Sequence, residues 1–222
     1  MKKLILALAI LFIGTNLSAQ EKYDKHIFSM NTGYAFRLAD SHPSQLINTV
    51  DNPEHVDRMR HCLHFGFNYD YKFTNYLAAG LKASMLMGFH SFEKEVASQN
   101  GTTIKLYSDD INIFYVGPTF KAQLPTIAEK IDLWTRATLG YMKTRITDKT
   151  EASSIFSGNC LGYGLEIGAD YFISDHIGIN LGVEYLGGQV NTFKSGEEEI
   201  DISETPENLS RLNVKLGVVI KL

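Results

Sequence analysis

Residues 61–73 read His61-Cys62-Leu63-His64-Phe65-Gly66-Phe67-Asn68-Tyr69-Asp70-Tyr71-Lys72-Phe73. From Leu63 onward every second residue is large and apolar, and the residues between are His64, Gly66, Asn68, Asp70 and Lys72. Successive side chains of an extended chain point to opposite faces, so this stretch is a strand with one bulky apolar face and one polar face. The apolar face persists for about ten residues, the length at which a tilted strand crosses the hydrocarbon of a bilayer.

Working outward, the same alternation recurs seven more times. Before it, residues 27–38 place Phe28, Met30, Tyr34, Phe36 and Leu38 on one face against Ser29, Asn31, Gly33, Ala35 and Arg37. After it, residues 76–92 set Leu77, Leu81, Met85 and Phe89 against Gly80, Lys82, Ser84 and His90, and residues 112–124 set Phe114, Val116 and Phe120 against Tyr115, Gly117, Thr119 and Lys121. Pro118 falls inside this fourth segment, where it is expected to cause a bulge or a weakened pairing. Residues 131–146 carry Leu133, Leu139 and Tyr141 opposite Asp132, Arg136, Thr138 and Gly140. The sixth segment sets Leu161, Tyr163, Leu165, Ile167, Tyr171 and Ile173 against Gly162, Gly164, Glu166, Gly168 and Asp170. The seventh starts at Ile177 with Gly178, Asn180, Gly182 and Glu184 on its polar face, and the eighth, residues 211–222, opposes Leu212 to Leu222 with Arg211, Asn213, Lys215 and Lys221. A soluble barrel of the lipocalin kind would carry its bulky residues inside. Here the polar face is glycine and charge, which suits the tight interior of a small membrane barrel. The expected fold is all-β: an eight-stranded antiparallel transmembrane up-and-down β-barrel.

The N-terminus reads as an export signal. Lys2 and Lys3 form a positive start, residues 4–13 an apolar stretch too short to span a membrane as a helix, and Leu17-Ser18-Ala19 a small-residue cleavage site. Residues 1–19 are therefore expected to be a signal peptide and residues 20–222 the barrel domain, with the last strand reaching Leu222 and no further periplasmic domain. The chain of 222 residues has a formal charge of −4, which becomes −6 when Lys2 and Lys3 leave with the signal. That balance argues against nucleic acid as a partner.

Three short connections fall at residues 73–76, 124–130 and 173–177, and four long ones at 39–58, 93–110, 147–158 and 190–209. Short turns on one side and long loops on the other imply termini and turns in the periplasm and loops outside the cell. With its export signal, eight alternating segments, inward Gly162, Gly164 and Gly168 and the Gly117-Pro118 pair, the mature chain resembles the small eight-stranded outer-membrane barrels of the OmpA/OmpX and opacity types, the porin family proteins. It ends in Lys221-Leu222, where many such barrels end in an aromatic residue. The resemblance implies a monomer in the cell outer membrane, in contact with its lipid and lipopolysaccharide, and no cofactor.

Simple hairpin register across the turn at residues 174–176 places Glu166 opposite Glu184. Two carboxylates in a confined lumen need cations, and Arg136 and Lys215 are the neighbours placed to supply them. Asp70 and Lys82 form a diagonal pair on the second hairpin. Together with Lys121 and Arg211 these residues are expected to form a lumen charge network that fills and fixes the barrel, giving a structural or surface-interaction role. The alternatives are a narrow charge-lined channel for small solutes and a lipid-modifying enzyme. For the enzyme, His90-Ser91 point to opposite faces, His64 could oppose Ser84 across a hairpin without an acid to orient it, and the carboxylate pair has no substrate cleft beside it. No catalytic residue is expected.

Cys62 and Cys160 lie on opposite walls, too far apart for a disulfide. Cys62, His64 and His90 have loose spacing for a soft metal, and no metal site is expected. The last loop is acidic, with Glu197, Glu198, Glu199, Asp201, Glu204 and Glu207, and the first adds Asp40, Asp51, Glu54 and Asp57. These carboxylates read as a solvated surface loop or as a place for divalent cations shared with lipopolysaccharide.

Overall fold

The computed structural model describes residues 24–39, 57–98, 101–124, 130–148 and 154–222. The expected signal peptide, the acidic residues Asp40, Asp51 and Glu54 and the turn at Pro125 lie outside them. Eight strands form the wall: β1 (His26–Arg37), β2 (His61–Lys72), β3 (Leu77–Ser98), β4 (Gly101–Gln123), β5 (Ile131–Asp148), β6 (Ser154–Phe172), β7 (Ile177–Val190) and β11 (Arg211–Lys221). Three short strands, β8 (Thr192–Ser195), β9 (Glu198–Asp201) and β10 (Glu207–Asn208), lie between β7 and β11. Each wall strand pairs antiparallel with its sequence neighbour, and β1 pairs with β11, from Ile27 opposite Lys221 to Arg37 opposite Arg211. The sheet therefore closes on itself and leaves no edge.

Alternation continues past the bilayer-length segments. Strands β3 and β4 stay paired to Ser98 opposite Gly101, so residues 93–98 and 101–110, expected within a loop, extend the two strands as a protruding ladder. Likewise β5 and β6 pair out to Asp148 opposite Ser154, and the last long connection contains the β8–β9 hairpin. Polar residues in these stretches hid the strands from a reading keyed to apolar rows.

At Pro118 the β4–β5 ladder opens without changing register, passing from Val116 opposite Tyr141 to Thr119 opposite Thr138. No bulge forms: Pro118 has no N–H to give the ladder, and its carbonyl accepts the Thr138 hydroxyl at 3.0 Å. Gly117 and Gly140 face each other in the gap, where a Cβ on Gly117 would stand 2.7 Å from the Cα of Gly140.

The two described tight turns use one design. Thr74 Oγ1 accepts the Leu77 amide at 2.9 Å, and Ser174 Oγ accepts the Ile177 amide at 3.1 Å. In each, the amide of the hydroxyl residue donates back to the same partner's carbonyl, at 3.3 and 3.1 Å. Ser174→Ala should cost about 0.5–1.5 kcal/mol, the net worth of one such bond. The check is the urea midpoint of the folded, heat-shifted gel band.

Outside, the wall is apolar. On β6 the outward residues between Tyr163 and Tyr171 are Leu165, Ile167 and Ala169, and both tyrosines are themselves exposed. The two rings are eight positions apart, about 26 Å along the strand. Tyr34, Tyr141 and Tyr163 lie toward the loop end, and Tyr71, Tyr76 and Tyr171 toward the turn end. Two aromatic girdles flanking an aliphatic band are what a membrane wall presents to its two interfaces.

Candidate functional site: the filled lumen

Inward side chains divide the lumen into a charged half toward the turns and an apolar half toward the loops. In the middle, Glu166 and Glu184 stand opposite each other in the β6–β7 ladder. Lys82, on β3 across the barrel, donates to Glu166 at 2.9 Å and also to Glu184. Lys215 approaches Glu166 at 2.6 Å and Glu184 at 3.2 Å, and Asn213 donates to Glu184 at 2.9 Å. Arg136 spans two carboxylates, Asp70 at 2.6 Å and Glu166 at 3.2 Å. The diagonal Asp70–Lys82 pair expected from the hairpin is thus replaced. In a lumen this narrow, a long lysine reaches the far wall, and Asp70 takes Arg136 from three strands away.

Below this cluster lies Trp134, which the sequence reading passed over although its parity with Asp132 and Arg136 puts it inside. It is 2% exposed, and its Nε1 donates to Asp170 at 2.9 Å. Lys121 Nζ sits 4.7 Å from its ring centre and Arg136 Cζ 4.9 Å, so the indole is held between two cations. Lys121 also pairs with Asp170 at 3.4 Å, and Asn180 donates to the same carboxylate. The indole lies against Gly168, where a Cβ would come within 2.4 Å of Cζ2. Inward glycines here make room for an aromatic ring.

Above it, the lumen is apolar, contrary to the expectation of glycine and charge throughout. Leu86, Ile111, Ile113, Met142, Ile146, Phe156, Leu186 and Val190 are buried there together with Tyr115. Met59, Phe193, Ile202 and Leu209, from outside the wall strands, complete the cluster. Backbone bonds fasten the last connection over this end: Leu209 N donates to Gly188 O at 2.9 Å and Ile202 N to Asn191 O at 2.8 Å.

A membrane-facing wall around an interior this full describes a small integral outer-membrane barrel, and sequence comparison agrees. The model of the outer membrane protein beta-barrel domain family matches residues 5–221. The chain belongs to that family. Among solved structures it is similar to Neisserial surface protein A, with 12% identity, a TM-score of 0.56 and coverage of 91% of this chain and 100% of that one. It is also similar to a major outer membrane protein from Thermus thermophilus, with 9% identity, a TM-score of 0.50 and coverage of 89% and 99%. At such identities the likeness is one of fold. No curated protein matches by sequence.

Glu207 is a surface acid in the sequence reading, but it is 3% exposed and accepts Arg37 Nη2 at 2.8 Å. It closes the loop end as a buried ion pair. Glu197, Glu198, Glu199, Asp201 and Glu204 are exposed on or beside the β8–β9 hairpin. Asp201 accepts the amide and the hydroxyl of Ser203, at 2.9 and 2.5 Å, and these bonds hold its carboxyl below the usual range. Its job is to shape a turn. Among the described residues no three His, Cys, Asp or Glu side chains gather as metal ligands.

His64 is fully buried and lies opposite Leu86, while Ser84 lies opposite Gly66. The expected His64–Ser84 opposition is therefore offset by two residues, and the two side chains make no hydrogen bond to each other. Cys62 and Cys160 are free thiols, with Cys62 donating to the carbonyl of Met59 at 3.6 Å. The side chain of His90 lies outside the described residues. Arg211, expected in the charge network, is in the lumen and fully buried, but it bonds to none of the network's members.

Proposed function

We propose that this protein is a sealed outer-membrane barrel with a structural or surface-interaction role, its tight turns and termini in the periplasm and its long connections outside the cell. The observation that carries this reading is the double filling of the lumen. A balanced set of ion pairs, Lys82, Arg136 and Lys215 with Asp70, Glu166 and Glu184, occupies one half. An apolar cluster topped by Phe193, Ile202 and Leu209, with the buried Arg37–Glu207 pair and Arg211 at its loop end, occupies the other.

An ion passing through would have to break charge-assisted bonds and then cross apolar packing, and each step is costly. The wall meets lipid and lipopolysaccharide, and the loop end, with its exposed acids, is left to meet divalent cations or a basic partner. The protein acts as a monomer, and neither channel nor enzyme chemistry is required of it.

The test is conductance in a planar lipid bilayer. The reconstituted protein is expected to give no discrete current steps, and Glu166→Lys, which disrupts the ion pairs but leaves the apolar half, is expected to give none either. Regular steps whose size or selectivity changes in Glu166→Lys or in Arg136→Glu would establish a pore instead.

A further inference from the structure

The fully buried lumen cations of the central cluster and its neighbours each meet a carboxylate: Lys82, Arg136 and Lys215 meet Asp70, Glu166 and Glu184, Lys121 meets Asp170, and Arg37 meets Glu207. Arg211 stands outside this pairing. Its side chain is 0% exposed, and none of its three guanidinium nitrogens has a hydrogen-bond partner.

Its surroundings make the matter sharper. Arg211 lies directly opposite Arg37 across the β1–β11 ladder, so two guanidinium groups enter the same part of the lumen from neighbouring strands. Like charges placed so are unfavourable. The carboxylate that could serve both, Glu207, is held by Arg37, and Glu184 is already occupied by Lys82, Lys215 and Asn213. The residue opposite Arg211 on its other side is Leu186. His64 is also fully buried in the lumen, and its two ring nitrogens likewise lack partners.

An arginine keeps its proton, so a buried, unpaired guanidinium cannot be relieved by neutralising itself. Burying it is unfavourable unless a compensating charge lies within bonding distance. The guanidinium fork offers five N–H donors and a full positive charge, and the neutral acceptors left unpartnered in the lumen, such as Asn213 Oδ1, supply no negative charge to balance it. That is the chemistry that recognises an anion.

We propose that Arg211, with Arg37 opposite it, binds a small monovalent anion inside the loop-end half of the barrel. Chloride is the probe that represents the class. The anion completes the electrostatics of the lumen beside the Arg37–Glu207 pair. The site stands whether or not the barrel conducts, because it depends on the side chains around Arg211 and on no through-going path.

The experiment is chloride-35 NMR on the folded protein in a non-ionic detergent, with ionic strength held constant. The wild-type protein should broaden the chloride line, and the broadening should saturate as chloride rises. Arg211→Met removes two or more charge-assisted bonds and should weaken the affinity by about a hundredfold, which abolishes the saturable part. If that variant does not yield the folded, heat-shifted band, Leu186→Glu tests the same point by placing a carboxylate opposite Arg211 and displacing the anion from within the chain. A wild-type protein with no saturable broadening, or a folded Arg211→Met or Leu186→Glu variant that keeps it, would overturn the site.

Discussion

Replacing Glu184 by Gln should lower the unfolding free energy of the barrel by about 3–5 kcal/mol, the cost of removing one partner from a buried ion pair. Glu184 is fully buried and takes bonds from Lys82, Lys215 and Asn213. Without its charge, two ammonium groups share the remaining carboxylate, Glu166, which also serves Arg136. The loss is thus not one pair but the balance of the whole cluster. Lys82→Met should be comparably harmful alone. Combined with Glu184→Gln, the damage should be much less than the sum, because each change removes the charge that the other strands. The measurement is urea unfolding in detergent micelles, followed by Trp134 fluorescence for all three variants. Additive losses would show that Lys82 and Glu184 are not coupled and that the cross-lumen contact contributes nothing.

The fold was legible because a membrane barrel writes its wall twice, once as apolar rows and once as the glycines opposite them. A shift of one residue would turn Leu161, Tyr163 and Leu165 into the lumen and expose Glu166 to lipid, so parity alone fixes which face is which. The register of the β6–β7 hairpin followed from its short turn, and with it the Glu166–Glu184 opposition. The ends of the strands were not legible. Beyond the bilayer nothing demands an apolar row, and β3 and β4 continue as a polar ladder to Ser98 and Gly101.

The interior was only half readable. Sequence gives each lumen residue a strand and a height, but which residues meet across the barrel depends on closure, tilt and side-chain length. Lys82 meets Glu166 from 84 residues away, a contact no hairpin rule contains. The apolar half was readable in principle: the inward row of β6 extends through Cys160 and Gly158 to Phe156, and that of β7 through Leu186 to Val190. Following parity past the point where the outward row ends would have found it. Glu207 was misplaced because composition makes it one acid among several in a loop, whereas its burial comes from β10 pairing with β7 at Val190.

Trp134 is where packing and charge meet, and Trp134→Ala should cost about 3–5 kcal/mol, in the range for truncating a large buried aromatic. Three losses add. The indole no longer fills the space over Gly168, Lys121 and Arg136 lose the ring between them, and Asp170 loses the indole N–H. Trp134→Phe separates these contributions, because it keeps a ring against the glycine and a face toward the cations but removes the donor. It should cost clearly less than Trp134→Ala. Asp170 retains Lys121 and Asn180, so the carboxylate is not left bare. Trp134 is the only tryptophan, so its variants are followed by the loss of the folded gel band with urea instead of by fluorescence. If Trp134→Phe proves as damaging as Trp134→Ala, the hydrogen bond to Asp170 governs this level of the lumen. If both are mild, the indole is a passenger in a lumen held by its ion pairs alone.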